Sequence, residues 1–325
     1  MIAVVPYAAG DAQAWDDFIQ QAKNGHFFFH RSFLAYHGDR FRDASLLIFK
    51  KNKLVAVFVA NRRKQTLYAH EGLTFGGLVW GEQLRLPDFF AVWEALWAYW
   101  QSEGIKHLIY RVPPAYQTRL PTDELLLVLA YLGGRCVRTE LSPVCLLPPT
   151  TKPAQRKARN LKKANQAALS LAPLSDWRDF EAVLLTQLWE RHGVKPVHNA
   201  FEMDYLSKRF PGQITHHGAF LGDGLVAGAT LFINPYAHTR HVQYMAATPE
   251  GRCVGAMDYL IAQLLKAAAD ARARYFSFGV SSEAGGEQIN AGLACWKEQW
   301  GAVHFLHQTY LLDLRRPARL LERLV

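Results

Sequence analysis

Short stretches of alternating hydrophobic and polar residues recur through the first half of the chain. The stretch SLLIFKKNKLVAVFVANRRK, residues 45–64, alternates on both sides of a turn-like Lys51-Asn52-Lys53 and predicts a β-hairpin. Farther along, DFFAVWEALWAYWQSEG, residues 88–104, places its apolar residues at helical spacing. KHLIYRVP, residues 106–113, predicts a strand directly after that helix. The first half is therefore predicted to be mixed α/β.

The second half shows a longer succession of elements with the same two periodicities. THHGAFLGDGLVAGATLFIN, residues 215–234, predicts a hairpin centred on Asp223-Gly224, because a type I′ turn needs positive φ at both central residues. A strand at 239–249, a loop EGRCVG at 250–255 and a long helix at 256–274 follow. The other elements predicted here are a short strand at 169–174, helices at 179–193 and 201–210, a strand starting at 275, a helix within 292–300 and one or two strands within 302–314.

Length and composition favour two domains. The chain has 325 residues, 50% of them hydrophobic, which is enough for two sizeable cores. A basic run, KPAQRKARNLKKANQ from Lys152 to Gln166, follows the proline-bearing stretch SPVCLLPPTTKP. We therefore expect an N-terminal domain over residues 1–150 and a C-terminal domain over residues 151–325. The basic run predicts a solvated helix or, alternatively, a helix that contacts a phosphorylated ligand.

Charge and cysteine content narrow the choice of partners. The formal net charge of +9 favours an anionic partner, such as a phosphorylated molecule, a nucleic acid or an acidic lipid. The sequence shows no basic leader and no apolar run long enough to span a bilayer, so we expect a cytoplasmic protein for which peripheral membrane contact remains open. The four cysteines lack a CxxC spacing and are expected to be reduced thiols, and no metal is expected.

Two segments of the second half carry the candidate chemistry. EGRCVGA, Glu250 to Ala256, comes before a long helix, where unpaired N–H groups and the helix dipole favour an anion. YFSFGVSSEAGGEQINAGLACWKEQWG, Tyr275 to Gly301, begins as a buried strand, ends as a helix and is polar in between. The alternative interpretations are an ordinary strand-to-helix turn for the first segment and a solvated connector for the second.

Together with their neighbours, these segments resemble the GNAT acyltransferase superfamily, and specifically its FemAB-like branch, in which two GNAT domains stand in tandem. The resemblance rests on QRKARNLKKANQAALSL, on LVAGATLF followed by VQYMAATPEGRCVGAMDYLI, and on YFSFGVSSEAGGEQINAGLACWKEQWGA. NGHFFFHRSFLAYHGDRFRDASLLIF and HEGLTFGGLVW resemble the degenerate first repeat of that branch. The resemblance implies two tandem GNAT-like domains, each a mixed, mostly antiparallel sheet flanked by helices.

The resemblance also implies that the acyl group binds between two splayed strands on either side of the coenzyme helix. A backbone N–H such as that of Ala247, at a bulge in the central strand, would bind the developing oxyanion. Glu283 or His198 would accept the proton, although a solvated loop acid and a helix-entry residue are the alternatives. The implied coenzyme-binding residues are Thr248, Gly251, Arg252, Cys253, Val254, Gly255 and Ala256. The implied acceptor-binding residues are Gln243, Tyr244, Ser281, Glu287, Asn290, Lys297 and Trp300, of which Asn290 has an alternative role as a helix N-cap.

The function implied by the resemblance is direct N-acyl transfer without a covalent enzyme intermediate. We expect an acyl-CoA, such as acetyl-CoA, as co-substrate, and an amine acceptor such as an amino sugar of a nucleotide-sugar or cell-envelope glycan pathway. The pyrophosphate-type loop favours this donor, and DNA is not an expected partner. Two alternatives remain open: a FemX-like transferase that uses aminoacyl-tRNA to modify a peptidoglycan precursor, and an inactive tandem domain that binds a nucleotide or a protein.

Overall fold

The computed structural model describes residues 1–36, 38–149, 154–174 and 176–324, and for residues 191 and 192 it describes only the backbone. Its helices are α1 (Ala12–Gln21), α2 (Arg31–Ala35), α3 (Leu86–Ser102), α4 (Asp123–Tyr131), α5 (Gln155–Gln166), α6 (Trp177–His192), α7 (Ala200–Arg209), α8 (Pro249–Val254), α9 (Ala256–Asp270) and α10 (Ala291–Glu298). Its strands are β1 (Ile2–Pro6), β2 (Leu46–Lys50), β3 (Lys53–Val59), β4 (Asn61–Arg63), β5 (Thr66–Tyr68), β6 (Gly77–Trp80), β7 (His107–Arg111), β8 (Arg135–Leu146), β9 (Ser170–Pro173), β10 (Ile214–Leu221), β11 (Gly224–Asn234), β12 (Thr239–Ala247), β13 (Tyr275–Ser277), β14 (Ser282–Glu283), β15 (Gln288–Ile289) and β16 (Ala302–Asp313).

The chain divides into two compact units. The first comprises Met1–Leu141, Ala284–Gln288 and Phe305–Val325, and the second comprises Ser142–Glu283 and Ile289–His304. The domain boundary predicted from the sequence, between residues 150 and 151, and the basic residue Lys152 lie outside the described residues.

The first unit contains an antiparallel sheet in the order β1-β2-β3-β6. Its predicted hairpin is confirmed: Lys50 pairs with Lys53, and Lys51 and Asn52 both have positive φ, as a type I′ turn requires. The tryptophan-rich helix α3 supplies much of the core, in which Trp93, Trp97 and Trp100 are almost fully buried. The sequence prediction of α3 from its apolar spacing is thus confirmed.

The second unit contains a sheet in which the end of β8 is followed in order by β13, β12, β11, β10 and β9. Helices α6 and α9 cover opposite faces of this sheet. Gly228 of β11 faces Phe180 of α6, because a Cβ atom at Gly228 would lie 2.3 Å from that ring. Its neighbours Ala227 and Ala229 point the other way and join the core formed with α9. The strand β12 lies beside β13, as the GNAT resemblance implied.

Two local predictions for the second unit are wrong. The turn between β10 and β11 consists of Gly222 and Asp223, with Leu221 paired to Gly224, and only the glycine has positive φ. The segment 250–255 predicted as a loop is largely helix α8. The strand predicted from residue 275 is present and ends at Ser277, and the final segment forms one strand, β16, in agreement with the prediction of one or two strands.

Candidate active site

The candidate site is a cleft beside the part of β12 that is not paired with β13. Strands β12 and β13 are parallel and pair only from Thr239 to His241 on β12, opposite Tyr275 to Ser277 on β13. Strand β12 continues to Ala247, whereas β13 ends at Ser277. The last residues of β12 are therefore not paired with β13. A cleft of about 560 Å³ lies here. It is lined by Gln187 and Leu188 of α6, Met245 and Ala247 of β12, Arg252 of α8, Met257 of α9, the loop residues Glu283 and Asn290, and Gly292, Leu293 and Trp296 of α10.

The edge of β12 presents backbone N–H groups to this cleft. Thr248 N donates to Val226 O on β11 at 3.0 Å. Because successive N–H groups of a strand point to opposite edges, the N–H of Ala247 points away from β11, and it donates to Oε1 of Gln187 at 3.2 Å. The side-chain oxygen of Gln187 therefore accepts the hydrogen bond of the N–H group that the sequence suggested as oxyanion donor.

The bulge of β12 lies earlier in the strand than expected. Thr230 of β11 pairs with Tyr244, and its neighbour Leu231 pairs with Val242, so that Gln243 is the extra residue. The sequence interpretation placed the bulge at Ala247. The bulge changes the direction of β12 before the strand reaches the cleft, and the pairing of Ala246 and Ala247 with β11 is regular.

Glu283 and Asn290 lie together at the cleft. Asn290 Nδ2 donates to Glu283 Oε1 at 2.7 Å, while Asn290 Oδ1 accepts from the N–H of Leu293 at 2.9 Å and caps α10. The backbone N–H of Asn290 donates to Ser281 O at 2.9 Å. Asn290 therefore caps the helix, as its alternative interpretation predicted, and also orients the exposed carboxylate of Glu283, while its role in acceptor binding stays a prediction.

Arg252 places a positive charge on the cleft wall. Its Nη1 donates to Ala247 O at 2.7 Å, and the residue is exposed. A guanidinium has five N–H donors, and in the described part of the chain one of them is seen to bond, to the backbone carbonyl at the end of β12.

The glycines of EGRCVGA have packing roles in the structure. Thr248 Oγ1 caps α8 by accepting from Gly251 N at 3.0 Å. A Cβ atom at Gly251 would lie 2.1 Å from Val226 O, and one at Gly255 would lie 2.8 Å from Asn160 O. These glycines allow α8 and the start of α9 to pack closely against neighbouring backbone. The other residues of the predicted coenzyme seat differ in exposure: Cys253 is an exposed thiol, Val254 packs against the core, and Ala256 is fully buried.

A buried ion pair lies at the start of α9. Lys157 of the basic helix α5 is 1% exposed, and its Nζ donates to Asp258 Oδ1 at 2.7 Å in the first turn of α9. Its ammonium also lies 4.2 Å from the ring centre of Trp296. Burial lowers the pKa of Lys157, and the hydrogen bond and charge of Asp258 act against that shift. In the sequence, the basic residues of this run look equivalent. In the structure Lys157 is buried, whereas its neighbours are exposed, namely Arg156, Arg159, Lys162 and Lys163.

Lys297 and Trp300 are both buried, which corrects their assignment to the acceptor-binding residues. Lys297 is 1% exposed, and its Nζ donates to Gly279 O at 3.0 Å and Val280 O at 2.8 Å. Burial lowers the pKa of Lys297 to about 7. Trp296, one position earlier, lines the cleft instead. Lys297 thus holds the backbone of Gly279 and Val280, shortly after the end of β13.

The remaining predicted residues lie away from the cleft lining. His198 is buried, and its Nδ1 lies 2.7 Å from Tyr244 Oη. Burial raises the pKa of Tyr244, and the backbone hydrogen bond from His198 acts against that shift. Ser281 is buried, and within the described residues its hydroxyl has no hydrogen-bond partner. Glu287 belongs to the segment Ala284–Gln288 of the first unit.

Sequence reasoning found Ala247, Arg252, Glu283 and Asn290 but missed the seven other lining residues. Gln187 and Leu188 sit within helix α6, whose sequence pattern does not reveal which turn reaches a cleft. Trp296 had a readable signal, since the prediction already placed Lys297 and Trp300 on this helix. Among the residues that the structure describes, no group of three or more His, Cys, Asp or Glu side chains could hold a metal ion, and no helix is long and apolar enough to cross a membrane.

Comparisons with known proteins agree with this fold. Residues 152–290 match the family model described as "Acetyltransferase (GNAT) domain". No curated protein sequence matches the chain. The structure of FemX is similar at 11% identity, with a TM-score of 0.69 over 97% of this chain and 98% of FemX.

Two further structures share the fold. L-PGS from Bacillus licheniformis is 14% identical, with a TM-score of 0.57 over 94% of this chain and 91% of that protein. A tandem GNAT protein from the clavulanic acid biosynthesis pathway, solved without AcCoA, is 11% identical, with a TM-score of 0.54 over 97% of this chain and 99% of that protein. Residues 152–290 therefore match a GNAT domain, and the chain has the fold of FemX and of the tandem GNAT protein.

Proposed function

We propose that the chain is an N-acyltransferase that moves an acyl group directly from an activated donor to an amine bound in the cleft. The observation that carries this proposal is the free edge of β12, where the N–H of Ala247 and the carboxylate of Glu283 line one cleft. A backbone N–H on a rigid strand is a preorganised donor for a developing oxyanion, and a carboxylate nearby can accept a proton.

The reaction follows from these two groups. The acceptor nitrogen attacks the acyl carbonyl carbon, and the carbonyl oxygen, now negatively charged, accepts the N–H of Ala247 in place of Gln187. The amine proton passes to Glu283, whose orientation Asn290 fixes. The tetrahedral intermediate then collapses, the bond from carbon to the leaving group breaks, and the donor leaves as a thiolate or alkoxide that takes up one proton. The product is an amide, and no covalent enzyme intermediate forms.

Our first candidate for the donor is an acyl-CoA such as acetyl-CoA. Support comes from the family model, which is that of an acetyltransferase domain, and from the fold shared with the tandem GNAT protein of the clavulanic acid pathway. Arg252 supplies an exposed cation beside the end of β12, suited to a coenzyme phosphate. The acceptor would be an amine of an amino sugar in a nucleotide-sugar or cell-envelope glycan pathway. Acid–base transfer by Glu283 and oxyanion binding by Ala247 do not depend on which amine is bound.

One specific observation favours a second donor, aminoacyl-tRNA, used as in a FemX-like transferase acting on a peptidoglycan precursor. At the start of α9, where a coenzyme pyrophosphate was expected, Asp258 brings a negative charge of the protein itself, neutralised by Lys157. Gly251 and Gly255 are already in close contact with protein backbone. An internal carboxylate at this helix start competes with an added anion, which weakens the case for a pyrophosphate there.

The experiment that tests the proposal offers each donor to the purified protein with a panel of amines and measures amide formation, together with the melting temperature. A true donor binds the native state and therefore raises the melting temperature as its concentration increases. Product from one donor alone identifies the donor. If neither donor yields product or shifts the melting temperature, the proposal is wrong, and the third interpretation, an inactive domain that binds a nucleotide or protein, takes its place.

A further inference from the structure

The cleft beside β12 has an apolar part in addition to its reactive groups. Gln187 and Arg252 both bond the backbone of Ala247, and Asn290 bonds Glu283. Every polar side chain of the cleft lining takes part in one of these bonds. Five other lining residues have large apolar side chains, which we call the apolar wall: Leu188, Met245, Met257, Leu293 and Trp296.

The apolar wall begins close to the proposed oxyanion donor. Met245 precedes Ala247 by two residues on β12, so their side chains leave the strand on the same side and their Cα atoms lie about 7 Å apart. An acetyl group carries a single methyl carbon beyond its carbonyl, at a bond length of about 1.5 Å. With its carbonyl oxygen bound by the N–H of Ala247, an acetyl group ends well short of Met245, whereas a longer acyl chain reaches it.

Trp296 is the rigid part of the apolar wall. It follows Leu293 by three residues on α10, so the two side chains share one face of that helix. The buried ammonium of Lys157 lies 4.2 Å from the centre of its ring, and the ring of Phe278 meets it edge-on, with 5.7 Å between the ring centres. A ring held from two directions loses little freedom when a ligand packs against it, which favours binding.

The two methionines supply an adaptable part of the same wall. Met245 and Met257 are partly buried and pack against the hydrophobic core of the unit, as Trp296 does. Flexible thioether side chains adjust to ligands of irregular shape. Each methylene group that a ligand buries against such a surface strengthens binding by about fourfold. The apolar wall is therefore suited to a hydrocarbon chain.

We propose that the acyl group carried by the donor is a medium-length, unbranched hydrocarbon chain such as octanoyl, laid along the apolar wall, and not acetyl. This inference rests on the proposed function, because the N–H of Ala247 holds the carbonyl from which the chain extends. Apart from the indole N–H of Trp296, the apolar wall offers only carbon and thioether sulfur. It therefore selects against a charged or hydroxylated acyl chain, which would lose its hydrogen bonds to water.

The test is titration calorimetry of the full-length protein with octanoyl-CoA and with acetyl-CoA, which needs no acceptor. Wild-type protein should bind octanoyl-CoA at least about 100-fold more tightly, the gain expected from three to four buried methylene groups. The test variant is Gly292→Leu, because Gly292 lines the cleft and a Cβ atom there would meet only Asn290 Oδ1, at 3.7 Å. The added side chain occupies space beside the apolar wall, so the preference for octanoyl-CoA should fall below about tenfold.

Ala291→Leu is the matched control, because Ala291 is exposed on the same helix and is not one of the cleft-lining residues. It should keep the wild-type preference for octanoyl-CoA. Leucine favours a helix more than glycine does, so Gly292→Leu should keep the wild-type melting temperature, and its loss of preference would not reflect unfolding.

The outcomes separate this inference from the proposed function. Equal affinity for the two CoA esters removes the long acyl chain and leaves acyl transfer standing. A preference that Gly292→Leu does not change places the acyl chain outside the cleft and also overturns the inference. If neither ester binds and amide forms only from aminoacyl-tRNA, the inference fails and the proposed function stands with its second donor. If no donor binds or gives product, both fail.

Discussion

At the scale of single residues, the position of Glu283 gives the sharpest consequence for catalysis. Glu283 is exposed to the cleft and accepts a hydrogen bond from Asn290, so replacement by glutamine keeps its size and removes its ability to take a proton. We predict that Glu283→Gln lowers turnover by about 100- to 10,000-fold with little change in donor affinity. Steady-state kinetics on the identified substrate pair would measure this.

Glu298→Gln is the control for this variant, because Glu298 is an exposed acid of α10 that contacts His304 outside the cleft lining. It should retain near-normal turnover. If His198→Ala lowers turnover strongly while Glu283→Gln does not, the histidine is the base and the assignment of Glu283 is wrong. The buried contact of His198 with Tyr244 instead predicts that His198→Ala acts mainly on stability.

Lys297 makes a prediction about pH. Burial lowers its pKa to about 7, whereas an unfolded chain holds a lysine proton up to about pH 10.4. Between these values the unfolded state binds more protons, so Lys297 makes wild-type stability rise with pH across this window. Below the folded-state pKa the ammonium is charged in both states, and the contribution no longer changes with pH.

We therefore predict that the free energy of unfolding of wild-type protein, minus that of Lys297→Met, increases by about 2 to 3 kcal/mol between about pH 7 and about pH 9. Urea unfolding at the two pH values measures this difference. Lys266→Met is the control, because Lys266 is an exposed lysine of α9, and there the difference should stay flat. A flat result for Lys297→Met as well would show that its ammonium is stabilised by the two carbonyl contacts despite its burial.

At the scale of elements, the turn between α8 and α9 gives a test of packing against ligand binding. Gly255 has a φ of 77° and a Cβ atom there would lie 2.8 Å from Asn160 O, whereas Gly212 has the same φ with no atom that near its Cβ position. We predict that Gly212→Ala costs about 1 to 2 kcal/mol from backbone strain alone. Gly255→Ala should cost clearly more, as judged by urea unfolding. Equal losses of stability would mean that α5 and α9 can move apart to make room for the added methyl group. That result would support the anion-binding role that the sequence suggested for Gly255.

The sequence predicted most long elements and failed at short ones for physical reasons. Helices α3 and α9 and the strands of the two hairpins carry enough periodic residues for the pattern to decide. Helix α8 has six residues and contains Gly251, so its pattern is weak, although Thr248-Pro249-Glu250 is a recognisable helix start. The centre of the β10–β11 turn depends on pairing register, which the strand pattern leaves open by one residue.

The candidate site was predicted in part because some of its residues follow directly from chain order. Glu283, Asn290 and Ala247 stand at the ends of predicted elements, where cleft residues are expected. Lys157 could not be identified in the same way, because six basic residues in one run look equivalent until packing selects the one beside Leu161 and Ala164 on the buried face. Lys297 was misplaced for the matching reason: nothing in the sequence indicates that two backbone carbonyls enclose its ammonium.

At the scale of the whole molecule, the net charge of +9 favours every anionic donor and so cannot choose between them. The two donor classes differ in how many phosphates they present. A tRNA offers a long phosphate backbone to many basic side chains, whereas an acyl-CoA offers only a few phosphates at one point. Salt dependence therefore separates the two donors where charge alone does not.

The exposed basic residues of α5, namely Arg156, Arg159, Lys162 and Lys163, are the basis of the last prediction. If aminoacyl-tRNA is the donor, a footprint of about 6 to 10 phosphates should make its affinity fall by about 1,000- to 100,000-fold between about 50 and about 200 mM salt. Replacing Arg159 and Lys162 by glutamine should then reduce the slope of that dependence by roughly 2, since each phosphate contact contributes about one unit. If acyl-CoA is the donor, its affinity should fall far less over the same range, and the α5 variant should bind it almost as well as the wild type does. Titration of both donors at the two salt concentrations distinguishes these outcomes, and a steep slope that the α5 variant leaves unchanged would place the tRNA contacts on another surface.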